Sequence, residues 1–151
     1  MDHQNKEGDI KMVEKKGVTI LLHSGDLDKA IAAFIIATGA ASKGIPTTMF
    51  FTFWGLNIVK QGGAEKAKLS KMNMAGLGKK MIIGKMKKNN VASLQELIKD
   101  AGELGVRFLA CEMTMDLMNV PKDSLIPEVT KICGVGAYLD SAFNSNVHQV
   151  F

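Results

Sequence analysis

The sequence predicts an α/β fold with three layers, in which helices cover both faces of a mostly parallel central sheet of about five strands in a doubly wound arrangement. Short apolar runs rich in β-branched residues alternate with longer segments of helical periodicity, the order expected of a parallel sheet. Several of these runs lead into polar or cysteine residues at which a helix begins. The 151 residues correspond to one ordinary domain, and 46% of them are hydrophobic, enough to form a core without disulfide bonds.

The first part of the chain has the pattern of a β-α-β unit. Residues 18–23, VTILLH, predict a first, central strand, and residues 29–43 predict a helix that is apolar almost all round. Gly44 provides a stop for this helix, and residues 47–53 are rich in β-forming side chains. Because it is apolar almost all round, the helix over residues 29–43 is expected to be buried on more than one side.

The second part of the chain repeats the alternation. Ser93 and Glu96 have the S-x-x-E spacing of a capping box, which predicts a helix that continues to Leu104. The apolar run that follows predicts a buried strand ending at Cys111, with a helix beginning directly after it. The remaining predicted elements are a strand over Val129–Cys133, a helix over residues 134–145 and a short edge strand over residues 147–151.

Two segments differ in composition from the predicted domain. Residues 1–16 are polar and their apolar side chains are too sparse to bury, so we expect a flexible leader followed by a single domain over residues 17–151. Within the domain, residues 62–90 contain five glycines, four methionines and eight lysines. We therefore predict an irregular, mobile insertion there.

The positive charge of the chain is local. The net charge is +4, but residues 66–95 contain eight lysines and no acidic residue, so the rest of the chain is net negative. A basic, methionine-bearing segment over residues 66–88 suits contact with a membrane surface or an acidic partner; the alternative is a solvated insertion. Nucleic acid is not an expected partner, because Arg107 is the one arginine and aromatic residues are absent from the basic segment.

A cytoplasmic location is expected from the apolar pattern. No apolar run approaches the roughly 20 residues that cross a bilayer, and the polar start lacks the apolar region of a signal peptide. The two cysteines have no C-x-x-C spacing, which argues against a zinc ribbon or a thioredoxin motif. A cytoplasmic setting would keep both thiols mostly reduced.

Cys111 is the candidate catalytic residue. Its position at the end of a strand and the start of a helix predicts a sulfur open at the carboxyl edge of the sheet, where α/β proteins keep their reactive groups. Helix N–H groups there favour a thiolate, the nucleophilic form, whereas the neighbouring Glu112 opposes it. The alternative is an inert core cysteine, which is common in proteins. Cys133 repeats the same strand-Cys-helix order and is the candidate second thiol.

A candidate pocket surrounds these positions. His23 ends the first strand on the same edge as Cys111, and Ser24 and Asp26 form the following turn. This turn lacks the glycine spacing of a phosphate-binding loop, which argues against a nucleotide. Trp54 after the second strand and Met113 after Cys111 complete the candidate lining; the aromatic residues near Trp54 either cap the core or wall an apolar pocket.

The order of these motifs resembles that of the DsrE/DsrF-like family, in its branch related to sulfur carriers and sulfurtransferases. The resemblance covers residues 17–151 and rests on five stretches: LLHSGDLDKA, FFTFWGL, SLQELIKDAGELGV, FLACEMTMDLM and GVGAYLDSA. It implies homo-oligomeric assembly and a cysteine, Cys111 here, that accepts sulfane sulfur as a persulfide or thiosulfonate. Cys133 lies outside the motif. No metal or organic cofactor is required for this chemistry.

The leading hypothesis is therefore sulfur trafficking, in which Cys111 passes sulfur to a sulfur-carrier or redox protein. Two alternatives remain open. One is a non-catalytic subunit that docks through its basic segment within a redox or sulfur-metabolism complex. The other is a thiol peroxidase, which requires a resolving thiol whose Cα lies within about 7 Å of that of Cys111.

Overall fold

The computed structural model describes residues 16–151 and is organised around a five-stranded sheet in which every neighbouring pair of strands is parallel. The strand order is β4-β3-β2-β1-β5. This confirms the predicted α/β fold, although β2 rather than β1 is the middle strand. The strands are β1 (Gly17–Leu22), β2 (Thr47–Phe51), β3 (Arg107–Cys111), β4 (Val129–Cys133) and β5 (Ser145–Val150).

Helices lie on both faces of the sheet. The helices are α1 (Leu27–Ser42), α2 (Gly63–Lys66), α3 (Leu77–Lys88), α4 (Leu94–Glu103), α5 (Glu112–Leu117) and α6 (Val135–Phe143). The larger core lies between the sheet and the pair α1 and α4, and Phe34 of α1 packs there against Phe51 and Phe108, whose rings also contact each other. Burial of apolar surface in this core is the main contribution to the stability of the fold.

The other face of the sheet is covered by α6. A smaller apolar cluster there joins Phe50, Leu109 and the two cysteines, and Ala137 and Tyr138 of α6 pack against it. The ring centroids of Phe50 and Tyr138 are 5.3 Å apart. Helix α6 has nine residues and is shorter than α1, with 16 residues, and α4, with 10.

The capping box predicted for α4 is present. The Ser93 hydroxyl accepts from the Glu96 N–H at 3.2 Å, and the Glu96 carboxylate accepts from the Ser93 N–H at 2.7 Å. Glu96 thereby satisfies the N–H group of the N-cap residue. The Ser93 N–H and the Ser93 hydroxyl both donate to the Glu96 carboxylate, and these two hydrogen bonds lower the pKa of its carboxyl group.

The segment over residues 62–90 is more ordered in secondary structure than its glycine content suggested. It contains α2, a 3₁₀ turn over Met74–Gly76 and the 12-residue α3. Residues with a left-handed backbone, among them Ala75 and Gly76, lie between α2 and α3. The leader expected over residues 1–16 lies, except for Lys16, outside the described residues. Within residues 16–151, no helix combines the length and the apolarity that spanning a membrane demands.

Candidate functional site

The candidate nucleophile Cys111 is the last residue of β3, the strand between β2 and β4. Helix α5 begins at the next residue, Glu112, so Cys111 is its N-cap residue, as the sequence predicts. The helix has only six residues, and Cys111 makes no side-chain capping hydrogen bond. Few peptide dipoles align in so short a helix, and the helix start alone is therefore a weak source of thiol activation.

Cys133 is the last residue of β4 and lies directly opposite Cys111 in the register of the sheet. The backbones of neighbouring strands are about 4.8 Å apart, a Cα separation compatible with a disulfide bond. Both cysteines are free, and both belong to the apolar cluster on the α6 face. The fold thus brings together two thiols that are 22 residues apart in the sequence.

The two thiols are more enclosed than the sequence suggested. We expected the sulfur of Cys111 to be open at the rim of the sheet, but Cys111 is 4% exposed and Cys133 is 8% exposed. The physical reason is that both side chains belong to the apolar cluster with Phe50 and Leu109, against which Ala137 and Tyr138 of α6 pack. Little of either side chain is therefore in contact with solvent.

Burial also determines the protonation state of the second thiol. Desolvation raises the pKa of Cys133 above the usual range of a thiol, and the positive charges of Lys131 and Arg107 only partly oppose this effect. The negative forms of Cys111 and Glu112 raise the pKa of Cys133 further. Cys133 is accordingly a protonated thiol near neutral pH.

A buried pair of threonines fixes α5 against the loop after β2. The Thr114 hydroxyl lies 2.9 Å from the Thr52 hydroxyl, and it also accepts from the Phe53 N–H at 3.3 Å. Phe53 has a left-handed backbone with φ 44°, which ends β2 at Phe51 rather than at residue 53 as predicted. The contact holds the residues after Cys111 in place, and nothing in the sequence spacing singled it out.

Four of the predicted pocket residues line one cavity of about 630 Å³. These are His23, Ser24, Asp26 and Trp54, at the carboxyl ends of β1 and β2. Met113 is not part of the lining; its side chain is 60% exposed on α5. The cavity also excludes Cys111, so the predicted pocket and the predicted nucleophile are separate features.

The neighbouring aromatic residues have divided roles. Phe51 belongs to the main core, whereas Phe50 packs beside Cys111 on the opposite face of the sheet. Trp54 lies in a 3₁₀ turn over Phe53–Asn57 and lines the cavity. The predicted apolar wall beside Cys111 is thus formed by Phe50, and Trp54 faces the other site.

The approach of this turn to β1 depends on Gly55. A Cβ atom at Gly55 would lie 2.0 Å from the Leu22 carbonyl oxygen, a distance that no side chain allows. The Gly55 N–H donates to the His23 carbonyl oxygen at 3.1 Å, which locks Trp54 over the end of β1. The FTFWGL motif therefore has a structural reason for its glycine.

Several cavity residues were not singled out by the sequence. They are the lysines at positions 29, 60, 66 and 68, which belong to α1, to α2 and to the loops on either side of α2. The signal for two of them was present in the basic run, but their convergence with the turn after β1 depends on the fold. Within residues 16–151, no group of three or more His, Cys, Asp or Glu side chains is arranged to hold a metal ion.

The fold and the site together define a parallel α/β protein with two free thiols paired at the carboxyl edge of its sheet. The chain belongs to the DsrE/DsrF/DrsH-like family, whose sequence model matches residues 14–68 and 59–150. This confirms the resemblance noted from the motifs.

Individual relatives agree with this assignment. The chain is 44% identical over 155 residues to the uncharacterized protein YrkE of Bacillus subtilis, a match that covers 89% of this chain and 96% of YrkE. It is 32% identical over 156 residues to the sulfur carrier protein DsrE2 of Allochromatium vinosum, covering 89% of this chain and 98% of that protein.

Two solved structures share the fold at low sequence identity. The ychN protein from E. coli superposes with a TM-score of 0.61 at 10% identity, covering 89% of this chain and 99% of that chain. MTH1491 from Methanobacterium thermoautotrophicum, a protein of unknown function, gives a TM-score of 0.60 at 12% identity, covering 90% and 99%.

Proposed function

We propose that this protein is a sulfur carrier in which Cys111 accepts sulfane sulfur and passes it to a partner protein. Family membership and the 32% identity to a sulfur carrier protein support a sulfur-related role. The observation that carries the proposal is the register pair of Cys111 with Cys133 at the carboxyl edge of the sheet. A cytoplasmic setting would keep both thiols reduced and ready for loading.

Loading is a nucleophilic displacement at sulfur. The Cys111 thiolate attacks an inner sulfur of tetrathionate, forms a Cys–S–S–SO₃⁻ thiosulfonate and releases thiosulfate; attack on a donor persulfide instead forms Cys–S–S⁻ and releases the donor thiolate. In the unloading step an acceptor thiolate attacks the sulfane sulfur bonded to Sγ of Cys111, the bond between these two sulfurs breaks, and Cys111 leaves as a thiolate. No electrons are needed from outside the reacting sulfur compounds.

Cys133 is the second thiol of this proposal. Its thiolate could attack Sγ of a Cys111 persulfide, which would form a Cys111–Cys133 disulfide and release hydrosulfide. Because burial raises the pKa of Cys133, the thiolate is scarce near neutral pH and this loss is slow. Near neutral pH, Cys133 therefore leaves the sulfur carried by Cys111 in place. When Cys133 loses its proton, its thiolate displaces that sulfur as hydrosulfide.

Intact-protein mass spectrometry after exposure to tetrathionate or polysulfide tests the proposal. We expect wild-type protein and Cys133→Ser to gain sulfur, and Cys111→Ser to gain none at a comparable rate. Cys133→Ser is a matched control because it removes a thiol from the same cluster. If Cys111→Ser gained sulfur as fast as wild type, Cys111 would not be the residue that accepts the sulfur.

The burial of Cys111 favours a second candidate, a non-catalytic subunit in which the thiol is only part of the apolar cluster. A thiol probe near neutral pH separates the two: a closed, inert thiol reacts slowly and a carrier thiol reacts fast. The strand pairing also meets the spacing requirement of a thiol peroxidase. That candidate predicts a sulfenic acid at Cys111 and then a Cys111–Cys133 disulfide after treatment with peroxide.

The basic segment over residues 66–88 is proposed as the docking surface for an acidic sulfur-pathway partner. The outward side of α3 carries exposed lysines, including Lys80 and Lys87, beside the exposed apolar residues Leu77 and Met81. Charge reversal at Lys80 and Lys87 should weaken binding of an acidic carrier protein, and salt should weaken it too. If the protein co-sedimented with anionic vesicles and did not bind an acidic carrier protein, this surface would be assigned to membrane contact.

A homo-oligomer is proposed through the outer surface of α6 and β5. Val135, Leu139 and Phe143 are spaced four residues apart on α6 and are all exposed, Phe143 by 85%. Val150 of β5 is exposed as well, and its register partner Leu21 packs on the α6 side of the sheet. An apolar stripe of this kind marks an interaction surface. A second copy covering α6 would also shield the cysteine pair that lies beneath this helix.

A further inference from the structure

The cavity at the carboxyl ends of β1 and β2 has a strong charge bias. We name it the lysine cavity: about 630 Å³, lined by Lys29, Lys60, Lys66 and Lys68 together with Asp26 and other residues. Its lining at the ends of β2 and β1 lies one to two strands from β3, which carries Cys111, and this corresponds to about 5–10 Å across the sheet. The cavity does not contain either cysteine, so anion binding there can be measured separately from sulfur loading.

Most of this positive charge is uncompensated. Lys29 pairs with Asp26 at 2.8 Å, and Lys60 donates to the neutral Asn57 side chain at 3.1 Å. In the part of the chain that the structure describes, neither Lys66 nor Lys68 forms an ion pair. Several like charges that converge on one concave surface without counter-charges create a positive potential that attracts anions.

Uncharged groups in the lysine cavity add directional hydrogen bonding. Ser24 is buried, and its oxygen accepts from the Asp26 N–H at 3.1 Å, which leaves its O–H proton for an acceptor in the cavity. The first N–H of α1, at Leu27, already donates to the Lys68 carbonyl oxygen at 2.8 Å. An anion would therefore be held by side chains and not by the start of the helix.

We propose that the lysine cavity binds a doubly charged tetrahedral oxyanion of the phosphate or thiosulfate class, through Lys60, Lys66 and Lys68. Ammonium groups on flexible stems suit such an anion because they act as point charges that adapt to its shape. The volume of the cavity is in the range of small-molecule sites and is larger than that of an inorganic oxyanion. An organic group attached to the anion could therefore occupy the remaining space beside Trp54.

Fluorescence of Trp54, the single tryptophan of the chain, reports on this site directly. The full chain is titrated with sodium phosphate, sodium thiosulfate or adenosine 5′-monophosphate at constant ionic strength, with potassium chloride as the blank. We expect a saturable change in emission that chloride does not produce. Tight binding of adenosine 5′-monophosphate would identify an organic phosphate as the class of ligand. Tighter binding of thiosulfate than of phosphate would identify a sulfur oxyanion.

Two double variants decide the role of the lysines. Lys66→Ala with Lys68→Ala should weaken binding at least about tenfold, because two charge-assisted contacts are lost. Lys87→Ala with Lys88→Ala removes the same charge from α3 and should bind as wild type. The proposal is overturned if no anion gives a saturable signal or if the first variant binds as tightly as the second. Cys111→Ser should bind normally, which separates this result from any failure of sulfur loading.

Discussion

Cys111 and Cys133 are directly opposed at the last residues of two neighbouring parallel strands, β3 and β4. Each is followed by a helix that leaves the sheet, α5 after Cys111 and α6 after Gly134. The pairing makes the chemistry of either thiol dependent on the other, because a charge on one disfavours a charge on its neighbour.

The first prediction concerns the pH dependence of Cys133. In a Cys111→Ser variant, alkylation of Cys133 should remain slow through neutral pH and rise only at pH values above the usual thiol range, because burial raises the pKa of Cys133. The rate of alkylation by iodoacetamide, measured against a free thiol such as glutathione, checks this. A rate that reaches its plateau near neutral pH contradicts it.

The same pKa shift has a consequence for stability. Below the ordinary thiol pKa of roughly 8.5, both the folded and the unfolded chain hold the Cys133 proton, so the free energy of unfolding is unaffected. As the pH rises beyond that value, the unfolded chain ionises first and stability falls until the folded pKa is passed. Urea unfolding at neutral and alkaline pH should show a smaller alkaline loss for Cys133→Ala than for wild type.

The third prediction concerns the buried hydroxyl of Thr114. Thr114→Val should lower the free energy of unfolding by about 1–3 kcal/mol, because it leaves the buried Thr52 hydroxyl and the Phe53 N–H without their partner. Thr114→Ser keeps the hydroxyl and is the control for hydrogen bonding. Chemical denaturation measures both, and equal stability of the valine variant and wild type would show that the contact is not a stabilising one.

The fourth prediction concerns Gly55. Gly55→Ala should destabilise the protein by about 1–3 kcal/mol and shift the emission of Trp54, because its Cβ atom would collide with the Leu22 carbonyl oxygen. Gly39→Ala is the matched control: nothing lies within 4 Å of a Cβ atom there, in the last turn of α1. The control should stabilise the protein by roughly 0.5–1 kcal/mol, since alanine is the better helix former.

The fifth prediction concerns assembly. Phe143→Asp should convert the proposed homo-oligomer to a monomer, because it places a charge in the exposed apolar stripe of α6. Met72→Asp changes another exposed apolar residue, away from α6, and should leave the assembly intact. Size-exclusion chromatography with light scattering distinguishes the states. A wild-type protein that is monomeric at micromolar concentration would overturn the proposal.

Much of the fold was predictable because the signals were local. The strand that ends at Cys111 and the capping box of Ser93 with Glu96 both depend on residues within a few positions of one another. The end of β2 was wrong by two residues, since the left-handed backbone of Phe53 depends on Thr114, which is 61 residues away. The irregular path expected for residues 62–90 was also wrong in part, because the glycines there separate helices or lie within them.

The candidate site was predictable only in its components. The sequence identified both cysteines and the residues His23, Ser24, Asp26 and Trp54, but it treated them as neighbours of one sulfur. The structure separates them, because the cysteines project from the α6 face of β3 and β4 while the cavity lies at the ends of β1 and β2. Sequence periodicity gives the end of each strand but not the order of the strands in the sheet.

By itself the sequence determined the class of fold, the strand ends that carry the cysteines and the family, because hydrophobic periodicity, capping residues and short motifs are local properties of the chain. The tertiary structure alone decided which strands are neighbours, and so it paired Cys111 with Cys133, buried both under α6 and gathered distant lysines around one cavity. These are consequences of strand order and register, which arise from packing between segments far apart in the chain.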